Sequence, residues 1–269
     1  MSDKKFGFIG AGNMGGALAT AVSKTTKNVL IADFFKDKAQ QLADKLGVNT
    51  ADNQTIAGEC DYIFLGVKPQ MMADMLSEIK DALASREKSF VLVTMAAGLA
   101  IETIREMAGG DYKVIRIMPN TPVSVGEGEI LYCKSENTTD DELQIFLANM
   151  KLAGGLTPIS EELMNAGCSV SGCGPAFVYM FIKGLAKGGE SCGIDPETSL
   201  KLAAQTVLGS AKLLMESGID ADTLIKNVCS PGGSTIEGVK SLESDNLEEI
   251  IAKAVDASYK RNVELGKQS

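Results

Sequence analysis

The sequence predicts an α/β chain in which a doubly wound, mostly parallel sheet is followed by an all-helical domain. Three observations carry that prediction. A short apolar strand at residues 6–9 runs straight into G-x-G-x-x-G, with glycines at 10, 12 and 15, and an alanine-rich helical pattern follows to about Val22. Short apolar strands then alternate with helical segments, the rhythm of βαβ crossovers. Beyond residue 160 the strand signal fades and long stretches of helical periodicity take over. The expected domains are therefore 1–160 and 161–269.

In a Rossmann-type first turn, one glycine makes the tight bend, a second lets backbone approach a pyrophosphate, and a third lets the helix pack on the strand. Gly10, Ala11, Gly12, Asn13, Met14 and Gly15 sit in that strand-turn-helix context. The helix start offers unpaired N–H groups and a partial positive charge to phosphates. Dinucleotide binding is the expectation, with a purely structural turn as the alternative.

The second strand, 28–32, ends at Asp33. An acidic residue roughly 20 positions past the turn can bond the adenosine ribose hydroxyls, which favours NAD. Phe34 and Phe35 could lie against adenine, while Lys36 could instead meet a 2′-phosphate, and Asp33 also reads as a plain strand-end residue. A helical pattern over 39–45 stops at Gly47, and 49–53 reads as a polar connector. Residues 61–67 form a strand that is apolar over most of its length, as one covered on both faces should be. It ends at Lys68-Pro69-Gln70. A helix over 71–83, a strand over 89–94 broken by Ala96-Ala97-Gly98, and a helix over 101–107 follow. A strand over 112–118 is closed by Pro119-Asn120-Thr121-Pro122, and short strands at 126–133 and 156–159 flank a helix at 141–151. Ligands on open sheets bind beyond the carboxyl ends of the strands. The glycine turn, Val67-Lys68-Pro69, Ala96-Ala97-Gly98 and the 118–122 segment should therefore converge on one crevice.

Composition narrows the function. The net charge of −9 argues against a nucleic-acid partner, since no basic stripe stands out. Backbone N–H groups can still hold an anionic substrate locally. The chain has no His, which removes His-based triads, His-ligated metal sites and a histidine proton donor, and no metal is expected. The Cys residues at 60, 133, 168, 173, 192 and 229 lack C-x-x-C spacing and read as reduced, mostly buried side chains of a cytoplasmic chain. No run approaches the ~18 apolar residues of a membrane span. Lys4-Lys5 ahead of an apolar segment is reminiscent of a secretory signal, but the spaced glycines and the βαβ continuation speak against one.

In the helical part, 176–188, 196–217 and 246–265 carry the periodicity. Residues 176–182 are apolar all round, which implies burial on both sides and an obligate homodimer through this domain. One loop, Ser230-Pro231-Gly232-Gly233-Ser234-Thr235, breaks the pattern at the entry to a helix. A hydroxyl can cap there and free N–H groups can hold an anion, so an elaborate helix cap and a carboxylate-binding loop both fit. Cys173 has no His to activate it and reads as part of a close-packed helix entry.

Together, Gly7-Phe8-Ile9-Gly10-Ala11-Gly12-Asn13-Met14-Gly15, Val67-Lys68-Pro69, Ala96-Ala97-Gly98, Met118-Pro119-Asn120-Thr121-Pro122, Ser171-Gly172-Cys173-Gly174-Pro175-Ala176 and Ser230-Pro231-Gly232-Gly233-Ser234-Thr235 resemble the pyrroline-5-carboxylate reductases over essentially the whole chain. The resemblance implies hydride transfer from NADPH or NADH to the C=N bond of 1-pyrroline-5-carboxylate, giving L-proline in the last step of proline biosynthesis. It implies that residues 10–15 cradle the pyrophosphate and that Asp33, Phe34, Phe35 and Asn53 lie near the adenosine. Val67, Lys68, Pro69, Ala96, Ala97 and Gly98 would border the ribose and nicotinamide, with Asn120 also on the cofactor side. Gly233, Ser234 and Thr235 would hold the substrate carboxylate, and the Thr235 hydroxyl would face the ring nitrogen. Family members are dimers or higher assemblies of helical-domain dimers. Two positions depart from the pattern: Cys173 stands where Ser is common, and Asp33 is not the usual residue of a dedicated NADPH site.

The chemistry suits the residues on its own terms. An imine nitrogen can already carry the proton when hydride arrives, so positioning replaces a strong side-chain acid, and Thr235 is assigned to orientation or proton relay. A 3-hydroxyacid dehydrogenase is the alternative enzyme, with Lys183 as acid/base, although a snorkelling lysine is the simpler reading. A nonenzymatic dinucleotide sensor is a third reading, to which the second glycine-rich loop lends no support.

Overall fold

The computed structural model describes residues 4–267, and residues 1–3 and 268–269, at the outer ends of the two expected domains, lie outside them. The chain divides into two compact units. One takes the chain through Cys173 and again from Ser258, and the other is Gly174–Ala257.

In the first unit β1 (Phe6–Ile9), β2 (Val29–Ala32), β3 (Asn49–Thr50), β4 (Tyr62–Leu65), β5 (Val91–Thr94), β6 (Lys113–Pro119), β7 (Gly128–Lys134) and β8 (Gly154–Pro158) form one sheet. Their order is β3-β2-β1-β4-β5-β6-β7-β8, and the chain reverses its direction of winding between β1 and β4. Every pairing is parallel except β6 with β7. Those two are joined through only a short 3-10 turn, Thr121–Val125, which cannot supply the crossover that parallel neighbours need.

Alternation along each strand sends apolar side chains to both faces. Phe8 and Phe64 stack at 4.2 Å between centroids on one face, packed with Leu18, Ile31, Ile117 and Phe146. That face is covered by α1 (Asn13–Ser23), α2 (Lys36–Leu46) and, later in the chain, Asp140–Met150. Ile9, Ile63, Leu65 and Leu92 face the other way, against α3 (Asn53–Glu59), α4 (Met72–Ala84) and α5 (Ile101–Ala108). Continuous apolar strands are the consequence of this double cover. The segment expected as a polar connector holds β3 and the start of α3. With only seven residues, α3 is too short to show periodicity, and it starts because Asp52 accepts the Thr55 N–H at 2.7 Å.

The helix at Asp140–Met150, α6, opens on a capping box between Thr139 and Glu142. Then α7 (Met164–Ser171) packs Met164 against Met118 and Leu131 of the sheet unit. The remaining helices are α8 (Gly174–Ser191), α9 (Pro196–Ser217), α10 (Ala221–Val228), α11 (Ser234–Ser244) and α12 (Leu247–Lys267). The end of α12 belongs to the first unit, where Asn262 Nδ2 donates to Ser169 Oγ at 3.0 Å.

In the second unit α9 and α10 start on side-chain caps, Asp195 and Asp220. Its apolar cover is thin. Val178, Tyr179, Met180 and Phe181 of α8 are exposed, so the two-sided burial expected for 176–182 is not met within one chain. Cysteine burial also differs from expectation: all six thiols are free, Cys60 alone is buried, and Cys192 is exposed. Small size lets cysteine sit at half-covered positions as readily as in a core.

Candidate functional site

Because β1, β2, β4, β5 and β6 are parallel, their carboxyl ends share one edge of the sheet. The three glycines of the first turn are there for three separable reasons. Gly10 has φ +111°, and a Cβ on it would come within 2.6 Å of the Gly66 carbonyl oxygen. Gly15 faces back into the turn, where a Cβ would collide with the Gly10 carbonyl oxygen. Gly12 is different. A Cβ there would meet nothing within 4 Å, so this glycine keeps open the space in front of the helix. It is also the N-cap of α1, and no side chain caps that end. An open cradle ahead of an uncapped helix start is what a phosphate needs.

Gly66 belongs to the same close approach, with a hypothetical Cβ 2.9 Å from the Gly10 oxygen and 3.2 Å from the Ile9 oxygen. Sequence reasoning passed over it, although a glycine directly ending a strand beside the first turn was a usable signal. Asp33, at the end of β2, is tied to the turn: its Oδ2 accepts the Ala11 N–H at 2.7 Å and its Oδ1 the Phe35 N–H at 3.0 Å. Phe34 and Phe35 stand exposed beside it, edge to face at 5.2 Å. Asn13 is exposed at the start of α1, while Met14 packs against the core.

The other expected residues divide. Val67 packs on the core and Lys68 is exposed, just before a 3-10 turn at Pro69–Met71. In the next turn Ala96 is buried, Ala97 is exposed and Gly98 has φ +82°. Asn53 starts α3 but sends its amide to Glu78 at 3.0 Å. Asn120 uses both ends of its amide structurally, donating to the Ser171 carbonyl at 3.0 Å and accepting the Glu129 N–H at 2.8 Å.

In the second unit, α10 ends at Val228 and the chain turns through Gly232, at φ +71°, into α11. Gly233 donates its N–H to the Ser230 carbonyl at 3.0 Å and is itself the N-cap, with no side-chain bond closing it. The hydroxyl cap expected from Ser234 or Thr235 is therefore not made. Both residues are exposed on the first turn of α11, whose N–H groups suit an anion. Lys183 is exposed on α8, not enclosed as an acid/base lysine would be. Burial pushes the Cys133 thiol up to about 11 and raises the Cys168 thiol, so neither is an activated nucleophile. Among the described residues, no group of three or more His, Cys, Asp or Glu is placed to hold a metal ion.

The chain matches known proteins along its whole length. A family described as pyrroline-5-carboxylate reductase dimerisation matches residues 161–265, and one described as NADP oxidoreductase, coenzyme F420-dependent, matches residues 5–98. Pyrroline-5-carboxylate reductase of Methanosarcina acetivorans is 35% identical, with 100% of both chains covered. That of Escherichia coli K12 is 34% identical over 98% of this chain and 99% of its own. Among solved structures, a pyrroline-5-carboxylate reductase from Coxiella burnetii has a TM-score of 0.91 at 31% identity, covering 97% of this chain and 98% of its own. The Plasmodium falciparum pyrroline carboxylate reductase, solved with NADP bound, has a TM-score of 0.85 at 32% identity and covers 99% of both chains.

Proposed function

The chain belongs to the pyrroline-5-carboxylate reductase family, and on that premise we propose that the glycine turn holds the dinucleotide pyrophosphate and the start of α11 the carboxylate of 1-pyrroline-5-carboxylate. The chain is an NAD(P)H-dependent oxidoreductase that reduces the C=N bond of this cyclic imino acid to give L-proline. The observation that carries the cofactor half is Gly12, the one glycine of the turn whose missing side chain leaves open space rather than relieving an internal clash.

Bound NAD(P)H supplies the hydride. The protein's part is positioning. Gly10, Ala11, Gly12, Asn13, Met14 and Gly15 present backbone to the pyrophosphate, and the positive end of α1 stabilises its charge. Asp33 is held by two N–H donors, and its remaining lone pairs accept ribose hydroxyls while its charge opposes a 2′-phosphate, which favours NADH. Phe34, Phe35 and Asn53 border the adenosine, and Val67, Lys68, Pro69, Ala96, Ala97 and Gly98 border the ribose and nicotinamide. Asn120 acts through the backbone it braces. Gly233 lines the entry to α11, where Ser234 and Thr235 offer N–H groups to the substrate carboxylate, and the Thr235 hydroxyl orients the ring nitrogen. That nitrogen can take up its proton before hydride transfer, as the iminium, so the reaction needs no strong side-chain acid and a chain without His can perform it by positioning.

The helical unit carries dimerisation, supported by its uncovered apolar helices, and assembly of dimers into a larger oligomer is part of the same reading. The six free thiols support a cytoplasmic location. Among the described residues no helix is long and apolar enough to cross a membrane.

The test is the initial rate of NADH and of NADPH oxidation with 1-pyrroline-5-carboxylate at matched concentrations. Turnover with a higher kcat/KM for NADH is expected. A preference for NADPH would keep the enzyme and remove Asp33 as the ribose reader, and absence of turnover with either would remove the assignment.

A further inference from the structure

Between β5 and α5 the chain makes the 96–98 turn, which is held from the preceding strand and from two places far away in sequence. Thr94 Oγ1 accepts the Ala96 N–H at 3.3 Å from within β5. Near the end of α12, Gly266 lies so close that a Cβ on it would be 3.6 Å from the Gly98 oxygen. The third hold is electrostatic. The N-cap of α5, Ala100, has no side chain that can cap the helix, and the Ile101 N–H is instead taken at 2.8 Å by Oε1 of Glu161, 60 positions later. The same oxygen accepts Nη1 of Arg116 at 2.9 Å. Arg116 stands in the middle of β6, in register with Thr94 on one side and Cys133 on the other, and its side chain is only 6% exposed. Its Nε is buried with no hydrogen-bond partner among the described residues, so Glu161 is the anion this guanidinium depends on.

A buried arginine in a central strand needs a fixed counter-charge, because burying it unpaired is strongly unfavourable. That requirement fixes where the Glu161 carboxylate sits. The carboxylate in turn fixes the first N–H of α5, to which a negative charge is well suited. The position of the helix start sets the position of the turn that precedes it. We propose that Glu161, anchored by Arg116, is a positioning residue that holds the 96–98 turn in place against the nicotinamide half of the coenzyme. This rests on the reading that the turn borders that half. Neither residue touches the coenzyme in this scheme; both act through the backbone of α5.

The test compares two probes on the full-length protein by calorimetry: the reduced coenzyme, and ADP-ribose, which has the adenosine and pyrophosphate but no nicotinamide. Wild type binds both. Glu161→Ala should weaken the reduced coenzyme about 10-fold, as loss of a charged hydrogen bond would, and leave ADP-ribose unchanged. Glu161→Gln keeps an acceptor for Ile101 and should restore most of the affinity. Should Glu161→Ala fail to fold, the double variant Arg116→Met, Glu161→Met leaves no unpaired buried charge and is expected to show the same selective loss. Equal weakening of both probes in a folded variant would mean a general structural role, and unchanged binding of both would mean no role; either overturns the proposal. If wild type binds ADP-ribose but gains nothing from the nicotinamide, the reading of the 96–98 turn fails instead.

Discussion

The sheet unit and the helical unit use similar apolar side chains and end in opposite states. In the first, Phe6, Phe8, Phe64, Ile63, Leu65 and Phe146 are all essentially inaccessible. In the second, Met180 is 74% exposed, and Leu200, Leu202 and Leu208 are each more than half exposed. Apolar helical faces of this extent, left uncovered in one chain, mark an interface. The sheet unit closes its core with its own helices, whereas the helical unit, which matches a family described as pyrroline-5-carboxylate reductase dimerisation, leaves its apolar faces uncovered within one chain. Helical periodicity is therefore evidence for a buried face, but not for which molecule buries it.

The largest expected effect breaks the helical side of this contrast. Tyr179→Glu with Met180→Glu puts charge where each apolar side chain contributes about 1.5–3 kcal/mol on burial. Light scattering should report loss of the dimer, and a dimer that persists would remove α8 from the interface. Next, Gly15→Ala should destabilise the sheet unit by about 1–3 kcal/mol through its collision with the Gly10 carbonyl, leaving dimerisation intact. Gly12→Ala sharpens the same point: the melting temperature should hold while coenzyme affinity falls, because its Cβ enters open space. A melting temperature lowered equally by both variants would deny Gly12 its separate role.

A smaller effect is expected from Thr235→Ala, which should lower kcat with the imine by about 10-fold and leave coenzyme affinity unchanged; equal loss of both would remove Thr235 from orientation of the ring nitrogen. The smallest change separates the units by thiol chemistry. Burial pushes the Cys60 thiol up from 9.0 to about 12. A raised value favours the protonated, folded form, so its contribution to stability is complete below about 9.0 and is lost as pH rises toward about 12. Alkylation near pH 8, by mass spectrometry, should label Cys192 rapidly and Cys60 only after denaturation.

Much of the candidate site was legible because its signals are local. The glycines of the first turn, the acidic end of β2 and the Pro-Gly-Gly loop each act within a few residues, where steric limits and helix-end chemistry apply directly. Asn120 was legible as a strand-end residue, but the two bonds that occupy its amide reach Glu129 and Ser171. Among the helices of the sheet unit α3 and α7 were missed, because seven or eight mostly small and polar residues display little amphipathic period.

The sequence by itself determined the alternation of strands and helices, the glycine turn between β1 and α1 and the apolar character of the late helices, since each depends on neighbours along the chain. Tertiary structure decided the rest. It set β7 antiparallel to β6, brought Gly66 against Gly10, joined Arg116 and Glu161 to the start of α5, and left α8 uncovered. These are contacts between residues distant in the chain. Packing and the pairing of buried charge select them, and no local pattern records the partner.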